Sequence, residues 1–141
     1  MEALQAHLGS RRERRFVVAR EHTVPALPLV SPSVAGMPEV LATPVLVAMV
    51  ECACAEHLLD VAPEIGLSLG VVVEIEHTAA TPVGFTITLT SELASVEGRQ
   101  VTFKFAAHDG VDAAGTGRHV RAVVPRARFD QRLAEKRSRA G

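Results

Sequence analysis

Strict alternation of apolar and polar residues fills the second half of the chain. In residues 68–78, SLGVVVEIEHT, Leu69, Val71, Val73, Ile75 and His77 fall on one side, and Gly70, Val72, Glu74 and Glu76 on the other. That is the pattern of a strand with one buried face, and it carries His77 toward the core at the strand's end. TAATPVG, with Pro82 and Gly84, reads as a loop. A strand follows at 85–95, with Phe85, Ile87, Leu89 and Leu93 inward, and Glu97-Gly98 turns it. Residues 99–108 form the next, with Val101, Phe103, Phe105 and Ala107 on one side, and Asp109-Gly110 turns again. A last strand is expected at 115–124.

The first half reads differently. Residues 14–20 predict a strand around Phe16, Val17 and Val18. Pro25, Pro28, Pro32 and Pro38 then forbid a long helix or a central strand across 21–40. A structureless stretch of that length is more often a lid or binding loop than a linker. Its apolar residues (Val24, Leu27, Leu29, Val30, Met37) are expected to pack down. Thr43-Pro44 is a helix-start signal, with Thr43 as the cap of a helix over 44–60. The first turns of that helix are apolar on every side, so the protein should wrap around it. The tail, 127–141, reads as a short amphipathic helix or a frayed end.

These elements predict an α+β domain: one long helix on the concave face of a five-stranded antiparallel sheet. A length of 141 residues suits a single domain, with 1–13 and 131–141 flexible or peripheral. The edge strands and half-covered helix leave apolar surface that a homodimer would bury.

Composition narrows the function. A net charge of −1 with neither Trp nor Tyr speaks against nucleic-acid binding. Residues 1–15, MEALQAHLGSRRERR, do not read as a secretory signal, and no apolar run reaches membrane-spanning length; a cytoplasmic protein off the membrane is expected. Cys52 and Cys54 point about 200° apart on a helix, so a shared metal or a bridge between them is excluded. Residues 21–98 hold ten acids and no Lys or Arg, while all fifteen basic residues lie in 11–20 and 99–139. Basic ends folding back on an acidic middle is the simpler account. An anionic ligand held by the late basic residues is the functional one.

Three polar residues stand on surfaces that should be apolar: Thr43, Glu51 and His77. Thr43 and Glu51, eight apart, lie about 80° apart around the helix and about 12 Å apart along it. A carboxylate on the most buried element, facing a His, suits a base or nucleophile. Each residue also has a structural reading, as a cap, a backbone partner or a core histidine.

The segments MPEVLATPVLVAMVECAC, SLGVVV, HTAATPVG, SVEGRQ, AAHDGVD and GTGRHVRAVV resemble the fluoroacetyl-CoA thioesterase family of hotdog-fold proteins, over about residues 16–130. The resemblance implies a hotdog homodimer hydrolysing an acyl-coenzyme A at the subunit interface, with coenzyme A as part of the substrate and no separate cofactor. It implies catalytic Thr43, Glu51 and His77, Gly70 near the thioester, and Arg121 near the site, with His119 on the same strand face. Arg118 faces the other way, and charge alone suggests it for a coenzyme A phosphate. Where the family enzyme has two lid phenylalanines, this chain has Val34 and Met37. Another short acyl substrate, or broad selectivity, is therefore expected.

With no GxSxG elbow available, two routes to hydrolysis follow. Glu51 attacks or activates water with His77 transferring a proton, or Thr43 attacks with His77 as base and Glu51 as its orienter. The Glu51 route is favoured, because a capping Thr43 has its oxygen engaged in the helix. A backbone N–H near Gly70 is the candidate oxyanion donor. A hotdog hydratase or dehydratase and a non-catalytic acyl-CoA-binding dimer are the competing classes.

Overall fold

The structure, a computed structural model, describes residues 1–28 and 31–141. Leu29 and Val30, expected to pack down with the loop, lie outside the described residues. The chain forms α1 (Glu2–Gln5), β1 (Arg11–Val17), two single 3-10 turns, α2 (Pro32–Ala35), α3 (Thr43–Val61), β2 (Leu67–His77), β3 (Thr86–Glu97), β4 (Gln100–His108), β5 (Ala113–Val124) and α4 (Arg126–Arg139). The five strands make one antiparallel sheet in the order β1-β3-β4-β5-β2. The expected α+β arrangement of a long helix held in a five-stranded sheet is the one observed.

Helix α3 has 19 residues, which at 1.5 Å per residue gives a length of about 28 Å. Leu46, Met49, Val50, Ala53, Cys54, His57 and Leu58 are buried along it. Ile87, Leu89 and Leu93 of β3 and Val101 and Phe103 of β4 meet that face with no residual exposure. Each such side chain stabilises the fold by about 1.5–3 kcal/mol relative to exposure. No helix among the described residues is long and apolar enough to cross a membrane.

Four expectations change. First, β1 begins at Arg11 and ends at Val17, three residues earlier than its apolar residues suggested. Its charged side chains are useful there: Arg12 and Arg14 reach Glu56, and Arg12 reaches Asp60, so β1 is pinned to α3. This is the fold-back of basic ends on acidic middle in physical form, repeated at Arg20–Glu39, Arg11–Glu92 and Arg118–Glu74. Second, the N-terminal residues are not wholly peripheral. Leu4 is fully buried in the core, and Gln5 donates to the Val96 carbonyl at 3.1 Å.

Third, β2 does not keep one parity. Gly70 pairs with Arg121 and Val72 with Val120, so Val71 is an extra, bulged residue. One inserted residue exchanges the two faces of everything before it. Gly70 therefore joins Val73, Ile75 and His77 on the helix side, while Val71 is exposed to 49%. Fourth, Thr43 is the first residue of α3 and not its cap. Ala42 occupies the cap position, and no side chain caps the helix.

Candidate active site

The start of α3 and the end of β2 meet. Thr43 Oγ1 lies 2.7 Å from His77 Nδ1. Because Thr43 sits inside the first turn, its hydroxyl is free of capping duty and is spent on the imidazole. Backbone bonds fix both sides of this contact. Leu41 N–H donates to the Thr81 carbonyl at 2.8 Å, and Ala42 N–H to the His22 carbonyl at 2.9 Å. Thr78, next after His77, donates its N–H to the Ala114 carbonyl at 2.9 Å. The pair opens on a shallow cleft of about 320 Å³ walled by Val24, Val40, Leu41, Ala79 and Ala80. The other ring nitrogen, His77 Nε2, is buried with no hydrogen-bond partner among the described residues. An unmet polar atom of this kind is costly in a folded interior, and it belongs to the residue that the cleft exposes beside Thr43.

Two turns further along α3, Glu51 forms a second cluster with Gly70, His119 and Arg121. A Cβ at position 70 would collide with Glu51 Oε1 and stand 3.1 Å from His119 Cε1. The bulge at Val71 and the absence of a side chain at Gly70 together make room for the carboxylate. His119 is fully buried; its Nδ1 donates to the Val72 carbonyl at 2.8 Å, and its Nε2 accepts from Arg121 at 3.1 Å. Arg121, also buried, donates to the Ser68 hydroxyl and carbonyl, both at 2.9 Å. Burial, with the Arg121 charge beside it, pushes the His119 ring below its usual range, so it stays neutral. Burial also lowers the Arg121 guanidinium, against the pull of Glu51. Glu51 itself makes no hydrogen bond or ion pair among the described residues. It is a half-buried carboxylate within the field of one buried cation.

Neither cysteine competes as nucleophile. Burial pushes the Cys54 thiol up to about 12, and burial followed by Glu56 raises Cys52.

The structure thus brings Thr43 to His77, and Glu51 to Gly70, His119 and Arg121. It does not bring the remaining candidates in. Arg118 lies on the opposite sheet face from His119 and Arg121, gripping Glu74 with two bonds of 2.6 and 2.8 Å. Val34 and Met37 are exposed to 36% and 48% and do not wall the cleft; Val24 and Val40 do. The residue-level reading missed Ser68, because the bulge that turns it toward Arg121 leaves no mark in an apolar run. It also missed Thr81 and Asp109, although both lie inside the two most distinctive motifs, HTAATPVG and AAHDGVD.

Comparison with known proteins agrees with this fold. Residues 15–127 match the family described as fluoroacetyl-CoA-specific thioesterase. The fluoroacetyl-CoA thioesterase of Streptantibioticus cattleyicolor is 42% identical over 129 residues, covering 92% of this chain and 93% of that protein. A phenylalanine-to-alanine variant of the fluoroacetyl-CoA-specific thioesterase, solved with fluoroacetate and CoA, superposes with a TM-score of 0.81. It is 43% identical and covers 86% of this chain and 98% of its own. A hot-dog-like protein from Thermanaerovibrio acidaminovorans gives a TM-score of 0.78 at 25% identity, covering 92% and 91%.

Proposed function

This chain belongs to the fluoroacetyl-CoA-specific thioesterase family and is a thioester hydrolase of the hotdog fold; from that premise we propose that Glu51 carries the reaction and the Thr43–His77 pair moves the proton. The substrate is a short acyl-coenzyme A, and the products are the free acid and coenzyme A. The observation that carries the reading is the Glu51 carboxylate: unpaired, half-buried, and lodged against a glycine that a bulge has turned inward. A carboxylate drawn partly out of water is costly unless it is paired, and this one has no hydrogen-bond or ion-pair partner among the described residues, which supports a role in the reaction.

In this mechanism Glu51 attacks the thioester carbonyl or activates a water against it. The carbon–sulfur bond breaks, coenzyme A leaves as thiol after taking a proton, and water supplies the oxygen of the acid. His77, held by Thr43, is the proton carrier. A second reading makes Thr43 the nucleophile with His77 as its base. It is favoured by the 2.7 Å contact and by the hydroxyl's freedom from capping. Against it stands Nε2, which has no carboxylate to steady an imidazolium.

The assembly we propose is a homodimer. The outer edge of β2 is unpaired among the described residues, Val71 is exposed on it, and the two polar clusters leave the site open. Light scattering that finds a fully active monomer overturns this part. Free Cys52 and Cys54 suit the reducing cytoplasm, the compartment we propose. Because neither Val34 nor Met37 covers the cleft with an aromatic side chain, acetyl-, propionyl- and butyryl-CoA are expected substrates, with no strong preference for the fluoroacetyl group. Steady thiol release across that panel tests the function. Failure to release thiol from any member leaves a binding dimer or a hydratase as the account.

A further inference from the structure

Thr81 and Asp109 are a buried polar pair outside both clusters. Thr81 has no residual exposure and Asp109 only 4%. The Thr81 hydroxyl donates to Asp109 Oδ2 at 2.9 Å. The other oxygen, Oδ1, accepts the N–H groups of Val111 and Asp112 at 2.9 and 2.7 Å. A buried carboxylate is tolerated because all this is satisfied, and an apolar side chain at 109 would leave the Val111 and Asp112 N–H groups without their acceptor.

The pair's connections suggest why it is there. The Thr81 carbonyl receives Leu41 N–H, two residues before Thr43. Val40 bridges Pro82 on the same line. The loop that carries Thr81 leaves directly from His77, and Thr78 bonds the Ala113 carbonyl through its hydroxyl at 2.8 Å and Ala114 through its N–H. Asp109 holds the turn that leads into Ala113. One frame therefore fixes the approach to Thr43, the exit from His77 and the β4–β5 turn, and Asp109 is its anchor.

We propose that Thr81 and Asp109 are positioning residues that hold Thr43 and His77 at hydrogen-bond distance, an inference that rests on reading that contact as part of the hydrolytic site. Neither touches the reacting atoms. They act through the segment before Thr43 and the loop after His77. Removing the Thr81 hydroxyl leaves Thr78 as the loop's remaining tie to this turn, and the Thr43–His77 separation is held less tightly.

The test is thiol release by the full-length protein, with the acyl-CoA that the wild type turns over fastest. Thr81→Val keeps shape and loses the hydroxyl; Thr81→Ser restores it. Asp109→Asn keeps an acceptor for the turn and changes the atom facing Thr81. Thr81→Val and Asp109→Asn are expected to lower kcat by about five- to tenfold, no more than the loss of the Thr43–His77 hydrogen bond itself, while KM moves little. Thr81→Ser should return most of the rate. In a His77→Ala background, Thr81→Val should cost nothing more, because the residue it serves is gone. A cooperatively melting Thr81→Val with wild-type kcat overturns the proposal, as does a full repeat of its loss on top of His77→Ala. Should Thr81→Val fail to melt cooperatively, Asp109→Asn with unchanged kcat overturns it instead. Wild-type turnover by His77→Ala overturns the hydrolytic reading itself, and with it this one.

Discussion

Replacing Gly70 by alanine separates catalysis from folding at one atom. The new Cβ would occupy the space of Glu51 Oε1, and the carboxylate must retreat by about 1 Å or more to reach ordinary contact. What yields is the free end of a flexible side chain that holds no hydrogen bond, so the backbone has no reason to move. Glycine within a strand costs about 0.5–1 kcal/mol relative to alanine, and the substitution returns that amount. Thermal stability is therefore expected within about 1 kcal/mol of wild type, with either sign. Turnover is another matter: a catalytic group misplaced by about 1 Å loses about 100-fold. His119 Cε1, 3.1 Å from the new carbon, is crowded as well, and its bonds to Val72 and Arg121 resist the shift. The assay pairs thermal melts with thiol release. A variant that melts like wild type and hydrolyses within a few-fold of it would refute the claim that the Glu51 position matters.

His77→Ala should lower turnover by about 10²–10⁴-fold, the usual worth of general acid–base catalysis, with the fold intact by circular dichroism. Thr43→Ala should cost less, about five- to tenfold in rate for one orienting hydrogen bond of about 1 kcal/mol, and little stability because Ala42 holds the cap position; a dead Thr43→Ala beside an active Glu51→Gln would instead identify a threonine nucleophile. His57 is buried between Ser10 and Ser91, and burial, aided by Arg12, holds its ring below the usual value. The unfolded chain therefore binds the proton first, so stability present above about pH 6.5 is lost as pH falls through the folded value. His57→Gln should shrink the difference in urea midpoint between pH 7.5 and 5.5, with His119 keeping part of it; an unchanged difference contradicts the assignment.

Much of this is legible in the amino-acid sequence. The helix was legible because Thr43-Pro44 marks its start and its apolar residues surround it. β3 and β4 were legible because Ile87, Leu89 and Leu93, and Val101, Phe103 and Phe105, keep an alternating apolar face; Phe85, expected inward, precedes β3 and is exposed, and β3 is irregular between Leu93 and Ser95. What hid was whatever alternation cannot encode. Leu69, Val71 and Val73 continue the pattern through the bulge, so nothing in the sequence says that Val71 is inserted and Gly70 turned inward. β1 hid because its pairing with β3 uses Arg11 through Arg15, whose long side chains serve as ties to Glu56 and Asp60. The Thr43–Glu51–His77 group was nominated by polarity alone. The same reasoning misjudged Thr43, since a hydroxyl one residue inside the helix start looks identical in sequence to a cap. It saw nothing in Thr81 or Asp109, which have ordinary turn-and-loop identities and become informative only once both are seen buried.

The most direct test of a Glu51-centred thioesterase is steady-state thiol release from acetyl-, propionyl- and butyryl-CoA by wild type and Glu51→Gln, with acyl-CoA binding measured on both. Gln keeps the shape but is neither base nor good nucleophile. It removes a half-buried charge but also the negative charge beside buried Arg121, so Glu51→Gln should melt close to wild type. The expected result is sustained release by the wild type, and a Glu51→Gln protein that binds acyl-CoA and releases almost nothing. A wild type that releases no thiol from any of the three, or a Glu51→Gln variant that keeps the wild-type rate, would contradict the account.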